Sequence, residues 1–392
     1  GREVCPRRVG GAHGAPRPVG LERPGSALGV AGAAAVSGTA SRLLVDLVRT
    51  PSPSGLERAA AELLAGWAAA RGLAAAVDDA AVRLEVAGPA AGPTLLFASH
   101  LDTVPVGEGW SVDPFAGLVA GSRLTGRGAV DAKASVAAMA AAAAALADGG
   151  GPACGRLIML ATYSEETRDT TMPRALERLG GEPAAAVVGE PTSLAPCIAQ
   201  RGQLLLKLSW RGEQLHAGWA AERRPPPANA IRLAARDLAA LDELRFERRH
   251  PLLGEVVVTP TLLEAGVARN VTPPRCEAVL DIRTTPCYGH AEVTAAVAAW
   301  VKAEVEVLSD RLLPAATPEG SALLAALVRV RPQAQPVASP TCSDWTFLRH
   351  LDALKLGPGD SRRSHTADEW VELAEVEAAA RLYLELAREV LG

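Results

Sequence analysis

The sequence predicts an α/β/α domain built on a mostly parallel mixed sheet, interrupted by a smaller inserted α+β domain of ferredoxin-like order. Three observations carry this expectation. Short, continuous apolar runs at 94–99, 156–162 and 184–188 have the length and composition of strands buried on both faces, and helical segments alternate with them. After Pro196 the pattern changes: strand-like runs at 203–210, 255–263 and 275–283 combine with helices at 228–244 and 289–303, the strand, helix, strand, strand, helix, strand order of a split sandwich. Beyond Leu313 the helix and strand alternation resumes and ends in a long helix at 373–391, so the C-terminal segment completes the first sheet. The main domain is therefore expected over 39–198 and 314–392, and the inserted one over 199–313.

Taken in order, residues 1–38 are rich in Gly, Pro, Ala and Arg without apolar periodicity and are expected to be a disordered leader. Helical patterns begin at Ser41 and again at 56–70. The strand at 94–99 delivers His100 at its carboxyl end, an alanine-rich helix is expected at 134–147, and a helix near 172–179 separates the next two strands. At 392 residues, 48 % hydrophobic and 21 % charged, the chain can bury a large core and is long enough for two domains. A formal net charge of -4 with both signs interspersed excludes a nucleic-acid stripe or a polybasic membrane patch. The longest apolar run, 136–147, is too short to span a bilayer. Six cysteines without a Cys-x-x-Cys pair suggest neither a zinc knuckle nor a disulfide framework, and a cytoplasmic location is expected.

Active sites of open α/β sheets lie at the carboxyl ends of the strands, and four acidic or histidine-bearing segments fall there. In His100-Leu101-Asp102, a carboxylate two residues on can hold the second ring nitrogen of a metal-binding imidazole, or the pair can be a structural hydrogen bond. Gly126-Arg127-Gly128-Ala129-Val130-Asp131 sets an aspartate before the alanine-rich helix, where it could also serve as an N-cap. Tyr163-Ser164-Glu165-Glu166 places two like charges where water is scarce, which is costly unless cations neutralise them. Gly189-Glu190-Pro191-Thr192 brings a further carboxylate, and Ser364-His365-Thr366-Ala367-Asp368-Glu369-Trp370 a loop histidine ahead of the last helix. Read singly each is weak. Together, two histidines and several carboxylates without cysteine suit a two-zinc hydrolytic site better than a structural zinc.

The order and context of these segments over 41–392 resemble the di-zinc amidohydrolases that include acetylornithine deacetylase, succinyl-diaminopimelate desuccinylase, aminoacylase and carboxypeptidase G. The resemblance implies two Zn2+ ions, replaceable by Co2+: His100 and Glu190 on one, Glu166 and His365 on the other, Asp131 bridging both. It implies Glu165 as general base, Asp102 as the carboxylate that orients His100, and His216, in Gly212-Glu213-Gln214-Leu215-His216-Ala217, as the histidine that steadies the oxyanion, in its own or a partner's site. Asn270 and Arg283 would hold the substrate carboxylate, a task suited to the arginine fork. His13, His250, His290 and His350 match nothing. The sequence departs from the family at Ala134, where glycine is frequent, and at 223–228, where three prolines replace a glycine-bearing turn.

Metal-assisted hydrolysis of the amide of an N-acyl amino acid is thus the expected activity, in a homodimer formed through the inserted domain. Gly189-Glu190-Pro191-Thr192 and the segments 356–361 and 365–369 look closest to deacetylases of acetylornithine or acetylcitrulline. Succinyl-diaminopimelate desuccinylase and an aminopeptidase are the alternatives, and an inactive, metal-poor paralogue is the alternative outside enzymes.

Overall fold

The computed structural model describes residues 38–392, so the leader expected over 1–38 lies, save for Gly38, outside the described residues. A nine-stranded mixed sheet runs in the order Ala74–Val77, Ala81–Ala87, Arg156–Thr162, Thr94–His100, Ala185–Val188, Asp352–Lys355, Cys197–Gln200, Ala315–Ala316, with Val337–Ser339 also on Cys197–Gln200. Its four central strands are parallel, and antiparallel strands flank them.

Side chains alternate across this sheet. Leu95, Phe97, Leu157, Met159 and Val187 enter one core with helices Thr39–Val48, Arg58–Ala69, Lys133–Asp148, Ala322–Val330 and Leu373–Leu391. Leu96, Ala98, Ile158, Leu160, Ala186 and Val188 enter the other with Met172, Ala175, Trp345 and Leu348. Three layers result. The helix Lys133–Asp148 is buried almost all round, and its run of alanines lets neighbouring helices approach closely. The buried ammonium of Lys133 at its start donates to the carbonyls of Leu47 and Thr50, each at 2.9 Å.

Residues 202–312 carry a second, four-stranded sheet in the order Val257–Ala265, Arg275–Thr284, Gly202–Arg211, Glu304–Leu312, antiparallel throughout. This is the ferredoxin-like order. Leu204, Leu206, Leu208 and Trp210 alternate inward against helices Ala230–Leu241 and His290–Trp300.

Two pieces escaped the sequence reading. The hairpin Ala74–Val77 with Ala81–Ala87 is one, and a small sheet of Trp370–Glu372, Arg123–Thr125 and Leu118–Ala120 is the other. The three-residue strands of the small sheet are too short for a readable period, whereas Ala81–Ala87 does alternate, with Val82, Leu84 and Val86 inward and Arg83 and Glu85 between them, and the sequence reading passed over it. The small sheet matters for the site, because it ties the strand after His365 to the strand ahead of Asp131. Among the described residues no helix is long and apolar enough to cross a membrane.

Candidate active site

Parallel pairing sets the site. His100 pairs with Thr162, so strands Thr94–His100 and Arg156–Thr162 end at one level, and Ala185–Val188 ends beside them. His100, Glu165, Glu166 and Glu190 therefore leave the sheet along one rim. Asp131 stands between the two histidines: Oδ1 lies 3.3 Å from His100 Nε2 and Oδ2 lies 3.4 Å from His365 Nε2. Glu166 Oε1 is 2.8 Å from His365 Nε2, and Glu190 Oε1 is 3.9 Å from His100 Nε2. Ligand atoms of His100, Asp131 and Glu166 all fall within 4.8 Å of one another. Asp131 is not an N-cap; the helix begins after Ala132 without a side-chain cap. Asp102 faces the other nitrogen of His100, with its carbonyl at 3.1 Å and its carboxylate at 3.3 Å from Nδ1.

A surrounding layer of buried carboxylates holds the backbone that presents these groups. Asp102 accepts the amides of Glu165 at 3.0 Å and Glu166 at 3.1 Å, and the hydroxyl of Ser54 at 2.7 Å. Glu57 accepts the amides of Gly55 and Ser164. Ser164 has φ +56 and His365 φ +63, left-handed conformations that non-glycine residues adopt only where their surroundings enforce them. Glu369 accepts the amides of Val130 at 2.8 Å and Asp131 at 3.1 Å, and its other oxygen takes Arg127 Nη1 at 2.7 Å. Glu57, Arg127 and Glu369 had no role in the sequence reading. Glu369 stood inside a quoted segment, but its partners lie about 240 residues away in the chain, and no local pattern marks such a contact.

Electrostatics fit a cation-holding cluster. Burial, then the charge of Asp131, pushes the Glu190 carboxyl up to about 8. Burial lifts Glu165 well above the usual carboxylate range. His365 is raised to about 10 by its hydrogen bonds to Asp131 and Glu166. Carboxylates this crowded stay ionised only beside positive charge, and an all-nitrogen-and-oxygen donor set of histidine and carboxylate suits zinc or cobalt. Two cavities open on the cluster. One, of about 380 Å³, is lined by Asp131, Glu165, Glu166, Glu190, Lys355 and His365, among others. The other, of about 400 Å³, shares Glu165, Glu166 and His365 and adds Arg283 and Arg311.

Arg283 thus lines a cavity that reaches the cluster, with its Nε 2.8 Å from Asp281 Oδ1. His216 and Asn270 line neither cavity. They neighbour each other in the inserted domain, where the amide of Ala217 donates to the Asn270 carbonyl at 2.8 Å and exposed His216 accepts the Gly218 amide. Of the unassigned histidines, His290 is buried between the Thr284 hydroxyl and the Asp310 carbonyl, and His350 pairs with Glu182 at the surface.

A mixed sheet with acids and imidazoles gathered at its rim, and an antiparallel insertion, is the architecture of a metal-dependent hydrolase. Residues 96–389 match the model of peptidase family M20/M25/M40, and the chain belongs to that family. It is 32 % identical over 325 residues to a succinyl-diaminopimelate desuccinylase of Novosphingobium aromaticivorans, covering 78 % of this chain and 84 % of that protein. A protein of Aeropyrum pernix, provisionally named a LysW-lysine/LysW-ornithine hydrolase, is 29 % identical over 358 residues, covering 89 % and 95 %. In fold, the chain is similar to a dinuclear metal-binding peptidase of the same family from Bacillus subtilis, with a TM-score of 0.70 at 18 % identity, covering 90 % and 98 %.

Proposed function

We propose that the chain hydrolyses the amide bond of an N-acyl amino acid at a pair of divalent cations, zinc or cobalt. The observation that carries this reading is Asp131 with one carboxylate oxygen toward each of the two histidines, while half-buried Glu165 stands beside the cluster without a histidine hydrogen bond among the described residues. His100 and Glu190 would hold one ion, Glu166 and His365 the other, with Asp131 shared between them. Bound divalent cations polarise a carbonyl and acidify water. Glu165 takes the proton of the attacking water and returns it to the leaving amine, a role matched to a carboxyl whose affinity for protons burial has raised. Asp102 keeps the His100 imidazole in one tautomer. Arg283, and with domain closure His216 and Asn270, would take the substrate carboxylate and the oxyanion.

Exchanging Glu165 for Gln should lower turnover by about 10²- to 10⁴-fold while metal analysis still finds two ions per chain. Near-normal turnover would exclude Glu165 as the base.

N-acetylornithine is the substrate that Gly189-Glu190-Pro191-Thr192 and the 356–369 segment favour, giving ornithine and acetate. Succinyl-diaminopimelate is the second reading, favoured by the 32 % identity to a desuccinylase. Comparing kcat/KM for acetylornithine, acetylcitrulline, succinyl-diaminopimelate and an unblocked dipeptide separates these from each other and from an aminopeptidase. Dimerisation through the 202–312 sheet is part of the same proposal.

A further inference from the structure

A cavity of about 470 Å³ shares no lining residue with the two that open on the cluster; Glu57, Ala61, Glu62, Val77, Asp78, Asp79 and Tyr163 form most of its wall. Its ionisable lining is one-sided, with four carboxylates against the single guanidinium of Arg58, which is engaged with Glu62 at 2.8 Å. Asp78 and Asp79 have Arg178 at 2.8 Å and 2.6 Å, and Arg174 stands 3.3 Å from the other oxygen of Asp79, so the carboxylate left for a cation is that of Glu57. Glu57, only 6 % exposed, has no cationic partner among the described residues, and one of its oxygens takes all its bonds, from Gly55 and Ser164. The second pointer is Tyr163. It is 9 % exposed, and its buried hydroxyl has no hydrogen-bond partner. Burial, with the charges of Asp78, Glu57 and Asp79, pushes its phenol up, so it stays a neutral hydroxyl at ordinary pH. Buried polar groups in folded proteins are almost always satisfied, and an exception calls for a partner.

Carboxylate and phenol oxygens around an apolar patch of Ala61 and Val77 repel anions and offer hydrogen bonds to a donor-rich cation on a short carbon stem. We propose that this cavity is a binding site for a primary alkylammonium group. Tyr163 and Glu57 both flank Ser164, the residue before Glu165, so occupancy changes turnover without blocking the substrate's own site.

The test is calorimetric titration of 1,5-diaminopentane into the metal-loaded protein, with 1-pentanol as the neutral comparison. One saturable site for the diamine is expected, not competitive with substrate. Its affinity should fall about tenfold in Tyr163→Phe, which loses a single hydrogen bond, and by a smaller factor in Asp79→Asn. Absence of saturable heat at tens of millimolar overturns the proposal. So does unchanged affinity in both variants, which would mean that water satisfies the hydroxyl. Binding that competes with substrate and vanishes in Glu166→Gln would place the diamine at the metal cluster instead. Equal binding of 1-pentanol would make the cavity merely apolar.

Discussion

Glu369 offers the sharpest test of how the site is supported. Its carboxylate is 1 % exposed, accepts the amides of Val130 and Asp131, and neutralises Arg127, itself 2 % exposed. In Glu369→Gln the side-chain carbonyl can still accept those amides, but the new NH2 faces Arg127 Nη1 and the guanidinium charge is left without its counter-ion. Breaking a buried pair from one side costs about 3–5 kcal/mol. The lower end is expected, because Arg127 keeps the carbonyls of Thr366, Pro105 and Val106. With an unfolding entropy of about 2.1 cal/mol/K per residue over roughly 350 residues, this corresponds to a Tm lower by about 4–7 °C. Differential scanning calorimetry of the metal-free protein measures it. Adding Arg127→Met to Glu369→Gln should recover part of the loss, since the orphaned charge is removed with its partner. A shift under about 1 °C for the single variant, or a double variant worse than the single, would refute the reasoning.

Burial raises the Asp344 carboxyl to about 6 from its ordinary 3.8, so between those values the folded state binds more protons than the unfolded, and stability is lost as pH rises through about 6. Asn copies the protonated form: Asp344→Asn should be more stable than the parent at pH 8 and show no gain at pH 4, read by urea denaturation after EDTA treatment. Asp102→Asn places an NH2 where one oxygen now accepts an amide, of Glu165 or Glu166, and should cost about 10- to 100-fold in metal affinity, read by competition with a zinc chelator. Stripping metal with EDTA should lower the Tm, and zinc at about 1,000 times its dissociation constant should restore about 4 kcal/mol of stability. The same titration on His365→Ala should find fewer than two ions bound, and two tightly held ions there would remove His365 from the ligand set.

The sequence by itself determined most of the longer elements and the chemical inventory. Continuous apolar runs at Thr94–His100 and Arg156–Thr162, and the alternating runs at Gly202–Arg211 and Arg275–Thr284, specify strands because burial on both faces or on one leaves those periods. Acids and imidazoles after such runs mark a rim, since open sheets expose their strand ends there. What only the tertiary structure decided is which of them meet. Asp131 reaches both His100 and His365 because the sheet brings segments from opposite ends of the chain to one place, and no local pattern encodes that distance. The same holds for Glu369 with Arg127 and for Glu57 with Ser164, whose hydrogen bonds join residues hundreds or about a hundred positions apart. Short strands such as Trp370–Glu372 form only because a neighbour is already in place to accept them: their three residues are too few to show a period, and pairing rather than propensity holds them extended.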